Sequence, residues 1–355
     1  MKGLVVALLC SLCVLAGCTD PDARPGEASP NPAPEPTASE PSATDGPKRS
    51  DEPSQQSEPS ETPEESHPVS LPALMDKEYD GARLRLGAEV YASATQRQYA
   101  VTYRSGGLTV SGRIAVPEGE GPFPAIVLAH GYIDPAYYVN GQGMTREREW
   151  FADHGYVVLH VDYRNHAESD DTRIGEADLR MGYTEDVVNA VLALRSWDGP
   201  VDEERVAVGG RSMGGGVVYN VLVAQPGLVD AAVVWAPVSS DAVDNYDRWI
   251  GSDPGRSDLV AELDRRYGLP DEAPEFWSGI SARTYFDRVA EPVLIHHGTA
   301  DDTCPLRWSR ETARLMERDG VDVTLTEYPG EGHAFGPQFY ASMEQARRFL
   351  ARHLR

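Results

Sequence analysis

Lysine and cysteine are scarce in this sequence, and no aromatic residue occurs before Tyr79. These absences exclude several classes of structure and partner. Only three of the 32 basic residues are lysines, against 56 acidic residues, and the net charge of −24 repels phosphates. We therefore expect no nucleic-acid partner. Of the four cysteines, Cys10, Cys13 and Cys18 lie close to the N-terminus, which leaves Cys304 without a disulfide partner in the rest of the chain. No cluster has metal-ligand spacing, so neither a metal nor another cofactor is expected.

Residues 1–18 have the composition of a processing segment. Lys2 makes the start positive, and Leu4–Leu15 is an apolar run that is too short to span a bilayer. The tetrapeptide Leu15–Cys18 resembles a bacterial lipobox, which implies that Cys18 is the lipidated first residue after cleavage. A secretory signal that contains a cysteine by chance is the alternative. We expect an exported protein, lipid-anchored to the cell membrane and facing the cell exterior or the periplasm.

Residues 19–70 contain no Phe, Trp or Tyr and are dominated by polar residues. They hold 12 of the 27 prolines, and 12 acidic residues against three basic ones. Such a segment cannot bury enough apolar surface to fold, so we expect a disordered Pro/Ser/Glu-rich tether. The catalytic domain is expected to occupy residues 71–355.

A glycine-rich turn between a strand-like and a helix-like run is the most informative segment. The run Arg205–Gly209 enters a Gly-x-Ser-x-Gly pentapeptide, Gly210–Gly214, that places Ser212 at its centre. This is the sequence form of a nucleophile elbow, in which the turn exposes the serine hydroxyl beside free helix N–H groups. A phosphate loop is disfavoured because the Lys-Ser/Thr pair of the Walker motif is absent, and the glycine spacing does not fit a dinucleotide fingerprint.

A serine nucleophile needs a base and an orienting carboxylate, which follow it in the chain order of elbow hydrolases. Histidines after the elbow occur at 296–297, 333 and 353. His333 lies in a glycine-rich loop after the strand-like run Val323–Tyr328, which is where such a base belongs. The loop after the apolar run 292–297 offers two adjacent carboxylates, at 301 and 302. One is expected to cap the helix that begins near Pro305, and the other to serve His333.

Taken together, these segments resemble the catalytic domain of the α/β-hydrolase superfamily, in its prolyl oligopeptidase branch. The resemblance covers about residues 98–355. It rests on the entry segment Trp197–Val206, the elbow region Val206–Gly216, the motif His-Gly-Thr-Ala-Asp-Asp-x-x-Pro at His297–Pro305, and Gly332-His333. It implies an α/β fold with a mostly parallel central sheet and helices on both faces, in agreement with the alternation of strand-like and helix-like segments.

The resemblance also assigns individual roles. The catalytic carboxylate of the family is the fourth residue after the histidine of His-Gly, which gives Asp301 and leaves Asp302 to hold the loop or cap the helix. The backbone N–H groups of Tyr132 and Met213 are implied as the oxyanion hole. Asp186, on an expected helix over 184–194, is a candidate partner for Arg164.

The segment between the strands at 231–236 and 292–297 is too long for a simple crossover. We expect a helical cap at about 238–290, with helices over 241–250, 257–267 and 274–289. The segment is rich in aromatic residues, which are expected to be shared between packing and a substrate pocket.

The sequence therefore predicts a serine hydrolase that cleaves ester or amide bonds of small substrates through an acyl-enzyme. Oligopeptidases of the family carry a large β-propeller, and no blade repeat occurs in this sequence, which favours esters, amides or short peptides. A carboxylesterase or acyl esterase without peptidase activity is one alternative. A non-catalytic binding protein on the same fold is another. The expected partners are the small substrate and, through the lipid anchor alone, the membrane.

Overall fold

The computed structural model of the protein describes residues 66–354. The predicted signal segment 1–18, its Cys18 and nearly all of the predicted tether 19–70 lie outside these residues. None of the helices within the described range is long and apolar enough to cross a lipid bilayer.

The packed domain begins a few residues before the predicted boundary at Leu71. The ring of His67 packs edge-on against Tyr267, with ring centroids 5.2 Å apart, and against Phe276 at 5.1 Å. Ser70 is buried, and its hydroxyl accepts the Ala73 N–H at 3.2 Å, which caps the first helix. The predicted boundary at Leu71 therefore lies within a segment that makes contacts with the domain, which polar composition alone does not indicate.

Nine strands in the described range form a single sheet. They are β1 (Arg85–Ala92), β2 (Gln96–Ser105), β3 (Leu108–Pro117), β4 (Phe123–Ala129), β5 (Val157–Val161), β6 (Val201–Arg211), β7 (Ala231–Trp235), β8 (Val293–Gly298) and β9 (Val323–Tyr328). Their order across the sheet is β1-β2-β3-β5-β4-β6-β7-β8-β9. The strands β4 to β9 pair in parallel, whereas β1, β2 and β3 pair antiparallel and β3 joins β5 antiparallel. The predicted fold class, a mostly parallel α/β sheet, is confirmed.

Helices cover both faces of this sheet. They are α1 (Leu71–Met75), α2 (Thr145–Asp153), α3 (Met181–Arg195), α4 (Met213–Ala224), α5 (Ala242–Tyr246), α6 (Ser257–Tyr267), α7 (Pro274–Gly279), α8 (Leu306–Arg318) and α9 (Phe339–His353). One apolar cluster packs α3, α4 and α8 against the sheet, and a second packs α2 and α9 against it. The strands β5, β7 and β8 are buried along their whole length, as expected of parallel strands covered on both faces.

The edge strand β1 has no counterpart in the sequence prediction. Every residue of β1 is exposed, and its pairing with β2 is interrupted by register shifts between Leu86 and Tyr91. An edge strand with both faces in water shows no alternation of apolar and polar residues, so periodicity cannot detect it.

The segment between β7 and β8 is helical, but less regular than expected. The expected helix over 257–267 coincides with α6. The expected helix over 241–250 divides into α5 and a π-helical turn, Asp247–Gly251, while the one over 274–289 ends at Gly279 and resumes as a 3₁₀ segment, Ala282–Arg288. This segment contributes aromatic side chains to the cavity described below.

The loop after β5 is held by the ion pair expected from the sequence. The guanidinium of Arg164 donates to Asp186 from Nε at 3.0 Å and from Nη2 at 2.8 Å. Asn165 and Ala167 in this loop have φ angles of 65° and 48°, in the left-handed region that glycine adopts more readily than other residues.

Candidate active site

The nucleophile elbow lies between β6 and α4, at the C-terminal edge of the parallel strands. Ser212 has φ 56° and ψ −122°, a strained conformation for a residue with a Cβ atom. The flanking glycines permit the turn, because a Cβ at Gly210 would overlap the carbonyl of Gly214, and one at Gly214 would overlap the carbonyl of Ala129. The Ser212 N–H donates to the Trp235 carbonyl at 3.1 Å, which ties the turn to β7. The sequence motif thus forms the strand–turn–helix that it predicts.

Asp301 and His333 meet across the loops that follow β8 and β9. The two side chains are joined by a hydrogen bond of 2.9 Å between His333 Nδ1 and Asp301 Oδ2. The ionised carboxylate can only accept this bond, so Nδ1 carries the proton and Nε2 is left as the basic nitrogen. Burial raises the pKa of Asp301, but hydrogen bonds from His297 and His333 and the charge of His333 outweigh it and hold that pKa well below its ordinary value.

Of the two roles predicted for Asp302, holding the loop or capping the helix, the second is not seen. Within the described residues no side chain caps α8, and the exposed Asp302 carboxylate makes only a 3.4 Å contact with the Thr303 hydroxyl. Asp301 supplies the turn as well: its Oδ1 accepts the N–H groups of Thr303 and Cys304, both at 2.9 Å. The prediction divided the two roles between the two aspartates. In the structure Asp301 performs both, because one of its oxygens binds His333 and the other accepts two backbone N–H groups of the turn.

His297 contacts the same oxygen of Asp301 as His333. Its Nε2 lies 2.8 Å from the Cys304 carbonyl and 3.4 Å from Asp301 Oδ2, and its Nδ1 lies 2.7 Å from the Ser309 hydroxyl. A carbonyl oxygen only accepts, so the proton lies on Nε2 and the Ser309 hydroxyl donates to Nδ1. In the sequence, His297 was one of the candidate bases and the first residue of the motif at His297–Pro305; its role in supporting Asp301, and its contact with Ser309 outside that motif, were not predicted.

Glu331 stabilises the loop that carries His333, and sequence reasoning missed it. Its buried carboxylate accepts the N–H groups of Gly336 and Gln338, and its carbonyl accepts the Ala300 N–H at 2.9 Å. These bonds join the histidine loop to the aspartate loop. An acidic residue between two glycines carries no signal of this role.

The loop after β4 brings Tyr132 beside the elbow. A Cβ atom built on Gly131 would lie 3.2 Å from Ser212 Cβ and 3.7 Å from Ser212 Oγ, so this backbone passes directly over the nucleophile. Met213 is the first residue of α4, where helix N–H groups are free. Among residues 66–354, no acceptor takes up the backbone N–H of Tyr132 or that of Met213.

Ser212 and His333 line one cavity of about 610 Å³. No hydrogen bond joins them within the described residues, and the nearest partner of Ser212 Oγ is Cys304 Sγ, at 4.0 Å. Burial, together with the negative charge of Asp301, raises the pKa of the Cys304 thiol to about 12, so the thiol stays neutral. Proton transfer from the serine therefore requires its hydroxyl to turn from Cys304 towards His333.

The cavity has the size and chemistry of a small-molecule site. Its volume lies within the range typical of ligand pockets, and five aromatic residues contribute to its wall. These are Tyr132, Tyr183, Tyr246, Trp249 and Trp277. In the part of the chain that the structure describes, no group of three or more His, Cys, Asp or Glu side chains is arranged to hold a metal ion.

The sequence profile of the prolyl oligopeptidase family matches residues 143–355, a range that contains Ser212, Asp301 and His333. The chain belongs to this family. A curated relative, the uncharacterized peptidase YuxL of Bacillus subtilis, is 27% identical over 267 residues, which are 73% of this chain and 38% of YuxL. Dipeptidyl aminopeptidase BIII of Pseudoxanthomonas mexicana is 25% identical over 226 residues, 61% of this chain and 31% of that protein. The chain thus spans about a third of the length of these two relatives.

A shorter family member and two solved structures are also similar. The uncharacterized peptidase YtmA of Bacillus subtilis is 27% identical over 248 residues, 68% of this chain and 88% of YtmA. Acetyl xylan esterase 1 from Thermoanaerobacterium sp. superposes with a TM-score of 0.61 at 20% identity, over 80% of this chain and 92% of the esterase. Pyrococcus horikoshii acylaminoacyl peptidase superposes with a TM-score of 0.57 at 22% identity, over 73% of this chain and 42% of the peptidase. These two structures share the α/β-hydrolase fold with this protein.

Proposed function

We propose that this protein is a serine hydrolase that cleaves ester or amide bonds of small substrates, with Ser212, His333 and Asp301 as its catalytic triad. The observation that carries the proposal is the hydrogen bond from His333 to the buried Asp301, in a cavity that also exposes the strained Ser212. Membership of the prolyl oligopeptidase family supports the same chemistry.

In the acylation step, the Ser212 hydroxyl attacks the substrate carbonyl and its proton passes to Nε2 of His333. Asp301 keeps the imidazole in the tautomer with the proton on Nδ1 and stabilises the imidazolium that forms. The oxyanion accepts hydrogen bonds from the backbone N–H groups of Tyr132 and Met213, and each such donor is worth roughly 10²–10³ in rate. His333 then protonates the departing alcohol or amine.

In the deacylation step, a water molecule takes the place of the leaving group. His333 accepts a proton from this water as it attacks the acyl carbonyl, and returns the proton to Ser212 Oγ when the acid departs. Deacylation therefore requires the same residues as acylation, namely Ser212, His333 and Asp301.

The proposal favours small substrates on the basis of the cavity. A volume of about 610 Å³ accommodates a short acyl chain or a few residues of a peptide. The described residues contain no β-propeller in front of it. The named curated relatives include peptidases and a dipeptidyl aminopeptidase, so short peptides and amides stand beside esters as candidates.

Matched esters and anilides test the proposal. Purified protein is assayed on p-nitrophenyl esters of graded acyl length and on aminoacyl and peptidyl p-nitroanilides, beside the Ser212→Ala variant. We expect turnover by the parent protein that falls by about 10⁴-fold or more in the variant, since a triad serine is removed. Hydrolysis of esters alone would select the carboxylesterase alternative. Turnover of no substrate by the parent, with the variant indistinguishable from it, would favour a binding protein.

We also propose that the protein is an exported lipoprotein whose lipidated residue is Cys18. The support is the sequence alone: a positive start, the short apolar run Leu4–Leu15 and the lipobox-like Leu15–Cys18. Expression of the full chain and of Cys18→Ala in a bacterial host, followed by membrane fractionation and a high-salt wash, tests it. The parent should stay with the membranes and the variant should not. Retention of Cys18→Ala after the wash would contradict the lipid anchor.

A further inference from the structure

One charged side chain in the active-site cavity has no partner within the described residues. Arg180 lines the cavity, yet among residues 66–354 no carboxylate lies within 4.0 Å of its guanidinium and no acceptor takes a hydrogen bond from it. The two other arginines of the cavity wall are paired, Arg211 with Glu147 and Arg256 with Glu176. Arg180 is half-buried, and a charge partly withdrawn from water is stabilised by an anionic partner.

The backbone at Arg180 has a strained conformation, which fixes the direction in which the side chain leaves the chain. Leu179 and Arg180 both have left-handed conformations, with φ 51° and 73°, which cost energy for residues other than glycine. The buried carboxylate of Asp178 holds the turn by accepting the N–H groups of Arg180 at 2.9 Å and Gly182 at 3.2 Å. Strain that the surroundings hold in place is typical of functional positions.

Arg180 and Ser212 line the same cavity. The charge of Arg180 also reaches the Cys304 thiol, whose pKa it lowers, although burial raises that pKa overall. The Cys304 sulfur lies 4.0 Å from Ser212 Oγ. A group attached to Ser212 in an acyl-enzyme therefore comes within range of the Arg180 charge.

We propose that Arg180 binds a carboxylate on the acyl portion of the substrate, so that the enzyme prefers esters or amides of dicarboxylic or acidic acyl groups. This inference rests on the proposed hydrolase function and deepens it. A guanidinium matches a carboxylate with two parallel N–H donors, and such charge-assisted bonds are about twice as strong as neutral ones. The carboxylates already present do not occupy this role, because Asp178 binds backbone N–H groups and Glu176 binds Arg256.

Esters that differ only in one charge test the proposal. The substrates are the monophenyl esters of succinic, glutaric and adipic acid, each beside its methyl phenyl diester, with release of phenol measured and protein-free hydrolysis subtracted. For the parent protein, kcat/KM should favour the acid over the diester by at least about tenfold at one or more chain lengths. In Arg180→Gln this ratio should fall to about one, while Arg180→Lys should retain part of it.

Arg266→Gln is the matched control, because Arg266 is paired with Glu262 on α6 and does not line the cavity. Its ratio of acid to diester should remain within about threefold of the parent ratio, since a partly exposed ion pair contributes little. The melting temperature is the second readout. Arg180→Gln should melt at or above the parent temperature, because it removes an uncompensated charge.

Two results would overturn the inference. One is a ratio near one for the parent at every chain length, and the other is a preference for the acid that persists in Arg180→Gln. Binding of free glutarate or adipate, followed as a rise in melting temperature, separates this inference from the hydrolase proposal. If no ester is hydrolysed, a dicarboxylate-induced rise that disappears in Arg180→Gln still supports the carboxylate site. No rise in the parent would contradict it.

Discussion

At the scale of single residues, Asp301 has the most demanding position in the site. Its side chain is fully buried, with His297 and His333 at one oxygen and two backbone N–H groups at the other. The carboxylate therefore orients the base and also shapes the turn that leads into α8. Removal of its charge should affect catalysis and stability together.

The two adjacent aspartates should consequently respond very differently to amide replacement. We expect Asp301→Asn to lose about 10⁴-fold in turnover, because an amide does not stabilise the imidazolium and favours the wrong tautomer. Asp302→Asn should keep turnover within about threefold and its melting temperature within a degree or two, because its carboxylate is exposed and makes one long contact. Turnover and thermal melts of both variants provide the measurement. A folded but inactive Asp302→Asn would reverse the assignment.

Some of these residues could be read from the sequence, and others could not. Ser212 and His333 follow strands in glycine-rich loops, and a motif marks each of them. The division of tasks within Asp301 could not be read, because it depends on the directions of two carboxylate oxygens in a folded turn. Arg180 has no motif: it becomes visible only once the fold shows that no partner among the described residues reaches it.

At the scale of elements, the elbow depends on close contact between the start of α4 and the end of β4. A methyl group at Gly214 would overlap the Ala129 carbonyl, which belongs to the backbone and cannot rotate away. The elbow conformation therefore needs glycine at this position for reasons of space, independently of its φ angle.

Gly214→Ala should displace the helix and remove activity. We expect a loss of about 1–3 kcal/mol in the free energy of unfolding, as for an overpacked core position, and a large fall in turnover because Ser212 and the Met213 N–H move together. Gly279→Ala is the control, since a Cβ there meets nothing within 4 Å. Denaturant unfolding and ester hydrolysis measure both effects. An active Gly214→Ala with parental stability would show that the contact is not as tight as described.

Among the elements best predicted from the sequence are two strands buried along their whole length, β7 and β8, which agree with their apolar runs to within one residue at each end. The edge strand β9, which is only partly buried, matches its predicted run Val323–Tyr328 as well. The edge strand β1 was missed because exposure removes periodicity. The break after Gly279 was missed although glycine commonly ends a helix.

At the scale of the whole molecule, the described domain begins with a segment that packs on two helices far along the chain. His67 contacts Tyr267 and Phe276, while Leu71 and Leu74 of α1 are buried in the main apolar cluster. These few residues therefore belong to the folded unit, although their composition resembles that of the preceding segment.

Two truncated chains test where the folded unit begins. A chain that starts at Ser66 should match the melting temperature of one that starts at Thr19 within about 2 °C, because residues 19–65 are too polar to add buried surface. One that starts at Asp76 should lose about 3 kcal/mol or more, because two leucines leave the core. Thermal and denaturant melts of both chains decide the matter. Equal stability of the two would show that α1 contributes nothing to the fold.

Covalent labelling of Ser212 tests the central claim most directly. The parent protein, Ser212→Ala and Cys304→Ala are treated with a fluorophosphonate, and the adduct is located by mass spectrometry of the intact chain and of its peptides. Only an activated serine reacts with this probe at a useful rate. The account predicts one adduct, on Ser212, in the parent and in Cys304→Ala, and none in Ser212→Ala. Failure of the folded parent to label, or an adduct that persists in Ser212→Ala, would contradict it.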